Sequence, residues 1–327
     1  PSPGYANTDE GGAQWYQSTQ RALTLSEAVS CNDTLLALDG AYPDLIELQN
    51  TSGKTLRLSN YYLADSREES RCWRLPDTEL APGACYVVYA SGAGGSQANF
   101  SLSAAGETLY LFDLDAFTAR AEKVRAAFGS HVQLCYSMKA NPFVLRGLPD
   151  VFRWVEVCSP GELTICEKLG IAPERILYSG VNKGADDVAR AVALGADLLT
   201  AESTLHFDLI CAAAAAQGKH VRVLPRLTAG SQFGMDPAAL ENLVARRAEF
   251  RNVTIVGIHY FSGTQKRKDT VIAKELAHLD EYLTMLHDKY GFTAQHVEYG
   301  PGLNAECLRD DAEARDGALL DAAAAHI

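Results

Sequence analysis

The sequence predicts two domains of different fold class, an all-β sandwich followed by an α/β TIM barrel that stops before its eighth strand. Three observations support this prediction. Apolar and polar residues alternate with a period of two from Leu23 to about Asp113, and turn residues separate the segments. After Asp113, helical patterns alternate with short apolar segments, which is typical of parallel βα units. The 327 residues are enough for two hydrophobic cores.

The composition argues against several classes of protein. The formal net charge is -12 and no dense Lys/Arg stripe offsets it, so binding to nucleic acid or to an anionic membrane is not predicted. No apolar run reaches the roughly 20 residues that span a bilayer. The eight cysteines include no CxxC pair and no zinc-like His/Cys cluster, so no metal site is predicted. Cys72 and Cys85 could bridge, but cysteines in apolar stretches suit a reducing compartment.

The first domain is predicted from short strands that are separated by turns. Pairs such as Asp39-Gly40 and Pro82-Gly83 recur at a spacing of roughly ten residues, which is typical of a β-sandwich. Asp39, Asp44 and Glu47 could hold a cation, but carboxylates in such loops are more often solvated. The predicted strands include Leu23–Ser26, Leu45–Leu48, Leu56–Leu58, Cys85–Tyr89 and Thr108–Phe112.

Residues 21–112 resemble the lamin-tail domain, an immunoglobulin-like sandwich. The resemblance implies a surface or adhesion module, and it lacks the last strand or two after Phe112. Residues 1–20 are interpreted as a linker or the tail of a preceding module. The motifs that carry the resemblance are Leu25–Glu27, Tyr42–Asn50, Leu58–Asp65, Trp73–Asp77 and Asn99–Glu107.

Residues 113–327 are predicted to form the barrel. Seven βα-like units at fairly even spacing favour a TIM barrel short of its eighth strand. An open doubly wound sheet is the alternative, but no GxGxxG sequence follows the first strand. The predicted strands are Val132–Met138, Trp154–Cys158, Ile176–Ser179, Leu198–Ala201, Val221–Leu224, Ile255–His259 and His296–Tyr299, with helices that include Gly161–Leu169 and Asp186–Leu194.

The C-terminal ends of these strands carry polar residues and glycines, and barrels of this kind place active sites there. Lys139 follows the first strand, where partial burial is expected to lower its pKa, as a Schiff-base nucleophile requires. Gly263-Thr264 and Gly300-Pro301-Gly302 follow late strands, where backbone N–H groups commonly bind phosphate. A lysine and a phosphate cradle together indicate a phosphorylated aldehyde cofactor. A lysine that merely extends into solvent would be the alternative if Lys139 stood alone.

From about Thr108 the chain resembles the fold-type III pyridoxal-phosphate (PLP) enzymes, specifically the ornithine/diaminopimelate/arginine decarboxylase group, and more distantly the alanine racemases. The resemblance implies PLP as cofactor and PLP-dependent decarboxylation of a small, diaminopimelate- or ornithine-like amino acid. Five motifs carry it in order: Tyr136–Asn141, Glu156–Leu163, Gln232–Met235, Gly257–Gln265 and Glu298–Leu303.

The resemblance also implies roles for nine residues. Lys139 would form the internal aldimine, and Thr264, Gly300 and Gly302 would bind the phosphate. The other five would surround the ring and the lysine. Glu156 and Arg226 would lie near the ring, Glu162 would support the lysine side, Phe261 would stack on the ring, and His259 would be either a site residue or a satisfied strand histidine.

The chain departs from the family pattern in several places. Phe261 replaces a ring-stacking histidine, and Pro301 removes one N–H donor from the phosphate loop. The family's strand-eight Glu-x-Gly-Arg segment and C-terminal β-domain, which completes the partner's site in a homodimer, are not found before Ile327. We therefore expect a truncated barrel that is incomplete or inactive, fused near Phe112 to the lamin-tail module.

Two other functions remain open. An adhesion or scaffold protein would work through the lamin-tail module and lie at the cell surface or be secreted, whereas decarboxylases of this group are cytoplasmic. An amino-acid racemase would share the lysine and the phosphate loop. The sequence leaves the amino-acid substrate open.

Overall fold

The computed structural model describes residues 22–66, 71–106, 108–304 and 312–326. It divides into two compact units, the first covering residues 1–120 with 307–310 and the second covering 121–306 with 311–327. The predicted linker at residues 1–20 lies outside the described residues. Each unit is described by itself below.

The first unit is built from short strands, most of which pair antiparallel. One sheet has the order β1-β2-β7, a second has the order β5-β4-β8, and β3 pairs with β6. These separate sheets agree with the predicted all-β domain. The elements are β1 Leu23–Val29, β2 Asp44–Asn50, β3 Leu56–Arg57, a 3-10 turn Leu58–Asn60, β4 Tyr61–Ala64, β5 Cys72–Arg74, β6 Glu79–Leu80, β7 Cys85–Ala90 and β8 Tyr110–Asp113.

The core of this unit is apolar and contains one buried amide. Side chains such as Ile46, Leu63 and Phe100 are almost fully buried. The amide of Asn50 is also buried, and its Nδ2 donates to the carbonyl oxygens of Lys54 and Leu80, at 2.8 Å each. A buried amide with its hydrogen bonds satisfied fixes the turn after β2.

Strand β8 overlaps the predicted strand Thr108–Phe112, which lies where the lamin-tail and decarboxylase resemblances meet. It pairs antiparallel with β4, with Tyr61 opposite Asp113 and Ala64 opposite Tyr110. The strand therefore completes a sheet of the first unit, one residue beyond the predicted boundary at Phe112.

The second unit holds a parallel half-barrel like that of a TIM barrel. Its sheet has the order β16-β15-β13-β12-β11-β10-β9, and β14 pairs with β13. All seven predicted strands are present, one of them divided into β14 and β15. The strands are β9 Leu134–Ser137, β10 Phe152–Val157, β11 Ile176–Tyr178, β12 Leu198–Ala201, β13 Val221–Leu227, β14 Val253–Ile255, β15 Gly257–Phe261 and β16 His296–Gly300.

Helices follow the strands, and local sequence signals fix their ends. Ser159 and Ser203 cap helix N-termini by accepting backbone N–H groups, and Gly218 and Gly291 end helices in the left-handed conformation. The helices are α1 Leu114–Phe128, α2 Pro160–Lys168, α3 Ala185–Leu194, α4 Thr204–Gln217, α5 Pro237–Ala245, α6 Asp269–Tyr290 and α7 Ala312–Ala324, with 3-10 turns at Met138–Ala140, Pro142–Gly147, Pro173–Arg175 and Arg247–Glu249.

Side chains of the last strand of the sheet, β16, lie close to those of the first two strands inside the half-barrel. The Trp154 ring of β10 contacts the His296 ring of β16, with 5.0 Å between centroids. Burial, followed by the charge of Glu298 of β16, raises the pKa of the thiol of Cys135, which lies on β9. The sheet therefore curves far enough to bring its two edges together across the interior.

Three other sequence-based expectations can be compared with the described residues. Cys72 and Cys85 form no disulfide with each other, so the alternative of a bridge between them is wrong. Asp44 accepts the Leu102 N–H at 2.9 Å, Glu47 accepts the Ser26 hydroxyl, and no group of three or more metal-ligating side chains is found within those ranges. No helix there has both the length and the apolar character that crossing a bilayer requires.

Candidate active site at the strand ends

Lys139 lies in the short 3-10 turn that follows β9, and its ammonium group contacts groups at the end of β10. Its Nζ is 3.5 Å from Oε2 of Glu156 and 3.8 Å from the Cys158 sulfur. Glu156 also accepts the Ser137 hydroxyl at 2.5 Å. The neighbouring parallel strands β9 and β10 therefore bring a lysine and a carboxylate together at one edge of the sheet.

The expectation of a lowered lysine pKa is wrong. Burial acts to lower the pKa of Lys139, but the Glu156 carboxylate opposes it and the pKa is raised overall. The side chain is 56% exposed, which limits the effect of burial. Burial likewise acts to raise the pKa of Glu156, yet the charge of Lys139 and the Ser137 hydrogen bond lower it. In the free protein the two groups form an ion pair.

Glu162 supports this corner through the backbone. Its Oε2 accepts the Cys158 N–H at 2.7 Å, and its own N–H donates to the Ser159 hydroxyl that caps α2. These two hydrogen bonds, one to the N-cap side chain and one from the residue before it, fix the turn between β10 and α2. Burial and the charge of Glu156 raise the pKa of Cys158 to about 12, so its thiol is protonated.

Arg226, at the end of β13, is buried between two neighbouring strands. Its Nη1 donates to Oε2 of Glu202 at 2.8 Å and its Nη2 donates to the Phe261 carbonyl oxygen at 3.1 Å. The guanidinium also lies 5.9 Å from the Phe261 ring centroid and 5.6 Å from that of Phe233. Arg226 thus links β12 to the end of β15.

His259 lies beside this ion pair, with Nδ1 3.9 Å from Oε1 of Glu202. Burial and the charge of Arg226 lower the pKa of the imidazole to about 3, which keeps it neutral at physiological pH. Among the described residues, Nδ1 of His259 and Nε of Arg226 are buried side-chain atoms that make no hydrogen bond. The site therefore retains polar atoms that the protein itself does not satisfy.

Lys183 and Glu202 belong to the same site, although the sequence analysis assigned neither a role. Lys183, in the loop after β11, is only 5% exposed and donates to the carbonyl oxygen and the hydroxyl of Thr200. Burial lowers its pKa to about 8 against the opposing charge of Glu202. Both residues follow predicted strands, and that position was the only signal available for them.

The two glycine turns lie against each other. A Cβ at Gly302, where φ is +61°, would collide with the Gly263 carbonyl oxygen, and it would lie 3.2 Å from the Cα of Thr264. A Cβ at Gly300 would lie 2.7 Å from the Phe261 ring. The close approach of the two backbones requires glycine at position 302, whereas the space beside Gly300 is taken by the Phe261 side chain.

The structure places all nine predicted site residues at the C-terminal ends of the strands, where contacts join them into two groups. The carbonyl oxygen of Phe261 accepts a hydrogen bond from Arg226, and the Phe261 ring lies beside Gly300 in the second glycine turn. One group consists of Lys139 and Glu156, with Glu162 linked to them through Cys158. The other group consists of Arg226, His259, Phe261, Thr264, Gly300 and Gly302.

Comparisons with known proteins agree with this arrangement. A family model described as the pyridoxal binding domain of pyridoxal-dependent decarboxylases matches residues 114–323, and the Lamin Tail Domain model matches residues 17–124. The diaminopimelate decarboxylase of Aquifex aeolicus is 28% identical over 233 residues, which are 66% of this chain and 55% of that protein. The L-glutamyl-(BtrI acyl-carrier protein) decarboxylase of Niallia circulans is 28% identical over 211 residues, 59% and 49% of the two chains.

Solved structures give the same result for the fold. A crystal structure from Aquifex aeolicus matches with a TM-score of 0.54 and 27% identity, covering 63% of this chain and 52% of that one. The diaminopimelate decarboxylase of M. jannaschii in complex with L-lysine has a TM-score of 0.57 at 19% identity, covering 65% and 55% of the two chains, and shows the shared fold alone. This chain spans about half the length of the relatives it matches. Through its half-barrel, the chain belongs to the pyridoxal-dependent decarboxylase family, and it carries a lamin-tail domain in front.

Proposed function

We propose that this chain binds PLP covalently through Lys139 and contributes the cofactor-binding half of an amino-acid decarboxylase. The observation that carries the proposal is that an ion-paired lysine and carboxylate and two touching glycine turns all lie at the C-terminal ends of the strands of one curved parallel sheet.

The residues present fit PLP. The glycine turns offer backbone N–H groups of the kind that bind phosphate. The buried, unsatisfied nitrogens of His259 and Arg226 offer polar partners for the ring and its substituents. Bound PLP supplies an electron sink that stabilises the carbanion left when an amino acid loses CO₂.

Each residue has a definable task within this proposal. Lys139 supplies the amine that bonds to the cofactor aldehyde. Glu156 holds that amine in place and keeps it protonated until the cofactor arrives. Phe261 stacks on the cofactor ring at the position where the family has a histidine. Because His259 is neutral, Arg226 carries the positive charge beside it. Thr264, Gly300 and Gly302 bind the phosphate, and Glu162 supports the lysine side through the Cys158 backbone.

The substrate is proposed as a small amino acid of the diaminopimelate, lysine or ornithine type, since relatives of this chain carry those activities in their names. A carrier-bound amino acid, as named for the Niallia relative, is the second candidate. We also propose a homodimer in the cytoplasm for the complete enzyme.

For the first domain we propose boundaries at residues 21–112 and an immunoglobulin-like sandwich of the lamin-tail type, with the barrel at residues 113–327. The separate antiparallel sheets and the match to the Lamin Tail Domain support this assignment.

The cofactor proposal is tested by adding PLP to the purified chain, recording the absorbance of the lysine-bound cofactor, and mapping the modified lysine by mass spectrometry after borohydride reduction. Lys139→Arg keeps the charge opposite Glu156 but cannot bond to the aldehyde. We expect its band to vanish, while Lys168→Ala, which changes an exposed lysine, keeps it. A band of equal strength in Lys139→Arg would refute the assignment.

A further inference from the structure

Glu275, on α6, accepts three side-chain hydrogen bonds from residues next to the glycine turns. Its Oε1 accepts the Ser262 hydroxyl, and its Oε2 accepts Lys266 Nζ at 2.8 Å and the Tyr299 hydroxyl at 2.7 Å. The side chains of Glu275 and Lys266 are both about a tenth exposed. One carboxylate on a helix therefore binds three separate points of the barrel rim.

These three points enclose the turns that we assign to phosphate. Ser262 directly precedes Gly263, Lys266 follows Thr264 by two residues, and Tyr299 directly precedes Gly300. Through these hydrogen bonds, Glu275 links both ends of the Gly263-Thr264 turn to β16, the strand that leads into the Gly300-Pro301-Gly302 turn.

The backbone adds a second link between the same turns. The Lys266 N–H donates to the Gly302 carbonyl oxygen at 2.9 Å, and the Asn304 N–H donates to the Lys266 carbonyl oxygen at 2.9 Å. The side chain of Lys266 is therefore bound to α6, and its backbone is bound to the Gly300-Pro301-Gly302 turn and the residues that follow it.

Such support matters because backbone N–H groups cannot swing toward a ligand as a long side chain does. A phosphate bound mainly by backbone donors depends on how accurately the surrounding framework holds them. Pro301 supplies no N–H, so fewer donors remain in this loop and the position of each is more critical.

We propose that Glu275 is a positioning residue that holds the two glycine turns in register for the cofactor phosphate. The inference rests on the proposed PLP site and adds a residue that the phosphate itself does not touch. Lys266 offsets the charge of Glu275, so the carboxylate lies near the phosphate site without a net negative charge.

The protonation states agree with this role. Burial acts to raise the pKa of Glu275, but the hydrogen bonds from Lys266, Ser262 and Tyr299 lower it overall. Burial and the hydrogen bond to Glu275 raise the pKa of Tyr299 well above its usual range. At neutral pH the carboxylate is therefore an acceptor for three donors.

The test compares PLP with pyridoxal, which lacks the phosphate, by titrating the purified chain with each and following the lysine-bound absorbance. Glu275→Gln replaces the charged acceptor with a neutral amide. The matched control is Glu241→Gln, because Glu241 also accepts a lysine and a tyrosine, Lys289 and Tyr290, but does so on α5, away from the turns. Pyridoxal cyclises in solution, which affects all variants equally.

We expect Glu275→Gln to weaken PLP binding by about tenfold, at the lower end of the loss seen when a supporting partner of a bound group is removed. Pyridoxal binding should be unchanged, and Glu241→Gln should match the unmodified chain with both ligands. If Glu275→Gln does not fold, as judged by circular dichroism, Tyr299→Phe removes one donor and should weaken PLP binding by about fivefold.

Three results would overturn the inference. PLP affinity that is unchanged, or tighter because Lys266 is released to the phosphate, would show that Glu275 does not position the turns. An equal loss of PLP and pyridoxal binding would show that it supports the whole site rather than the phosphate. If the unmodified chain fails to bind PLP, the proposed function itself is rejected. This result is seen without any variant, so it is distinct from a failure of the Glu275 inference alone.

Discussion

Nη1 of Arg226 lies 2.8 Å from Oε2 of Glu202, and both side chains are less than a tenth exposed. The pair joins β13 to the end of β12, and the second guanidinium nitrogen of Arg226 holds the Phe261 carbonyl oxygen. Because few water molecules can reach either charge, each depends on the other for its stability in the folded state.

Loss of Glu202 should therefore destabilise the barrel strongly. Removing one partner of a buried ion pair typically costs about 3–5 kcal/mol, because the remaining charge is left uncompensated. We expect Glu202→Ala to lower the free energy of unfolding by about 3 kcal/mol in urea denaturation.

The matched control for this prediction is Glu249→Ala, which breaks the exposed ion pair with Arg246 in the same unit. Exposed pairs contribute about 1 kcal/mol or less. Equal losses of unfolding free energy in Glu202→Ala and Glu249→Ala would show that the buried pair stabilises the fold no more than the exposed pair does.

His259 should make the stability of the barrel depend on pH. Its folded pKa of about 3 is below the unfolded value of 6.5, so the unfolded chain takes up a proton first as the pH falls. The contribution is complete above pH 6.5 and is lost progressively below it, by about 2 kcal/mol at pH 5. His259→Gln should flatten the curve of unfolding free energy between pH 6.5 and 5, as measured by urea denaturation at each pH.

The exposed His131 provides the comparison. His131→Gln should leave the slope of that curve as it is in the unmodified chain. A slope that is the same with and without the His259 imidazole would contradict the neutral, buried state of this side chain.

Glu156 should control the reactivity of the Lys139 amine. Its carboxylate raises the pKa of Lys139 against the effect of burial, so removing the charge should lower that pKa. We expect Glu156→Gln to increase the rate of reductive methylation of Lys139 at pH 8, by about tenfold for each unit of pKa lost. Mass spectrometry of the Lys139 peptide measures the rate without requiring any cofactor.

Glu174→Gln, at an exposed position outside the site, should leave that rate unchanged. A slower reaction in Glu156→Gln would mean that the carboxylate does more to keep the amine accessible than to keep it protonated.

We expect Gly302→Ala to be harmful because there is no room for the added Cβ, and not because of the positive φ alone. Its φ is +61°, and a Cβ would strike the Gly263 carbonyl oxygen. Gly291 has nearly the same φ of +60° with nothing within 4 Å of its added Cβ, so Gly291→Ala reports the conformational cost alone. That cost is about 1–2 kcal/mol for an ordinary residue.

We expect both variants to lose stability in urea denaturation, and Gly302→Ala alone to lose PLP binding as well. Normal PLP affinity in Gly302→Ala would show that the contact between the two turns is not needed for the phosphate.

Much of the barrel could be predicted because its signals are local. Short apolar segments, helix caps and C-terminal glycines are all visible in the sequence, and Leu198–Ala201 forms a strand with the bounds predicted for it. The positions of Lys139 and the glycine turns followed from the same strand-end rule.

The electrostatics of the site could not be read in this way. The pKa of Lys139 depends on Glu156, a neighbour brought close only by strand pairing, and that carboxylate outweighs burial. Lys183 lies in a polar loop several residues after its strand, and polar loops are usually solvated. Its burial against Thr200 arises from tertiary structure and leaves no local pattern.

Pairing of β8 with β4 has a practical consequence for dividing the protein. A fragment of the first domain that stops before Tyr110 would leave the backbone donors and acceptors of Tyr61–Ala64 unpaired along one side, and uncovered strands of this kind recruit other chains. Division of the chain after Asp113 keeps that sheet intact, and the second fragment then begins with helix α1. The same four residues thus decide whether the separated first domain exposes an open strand edge.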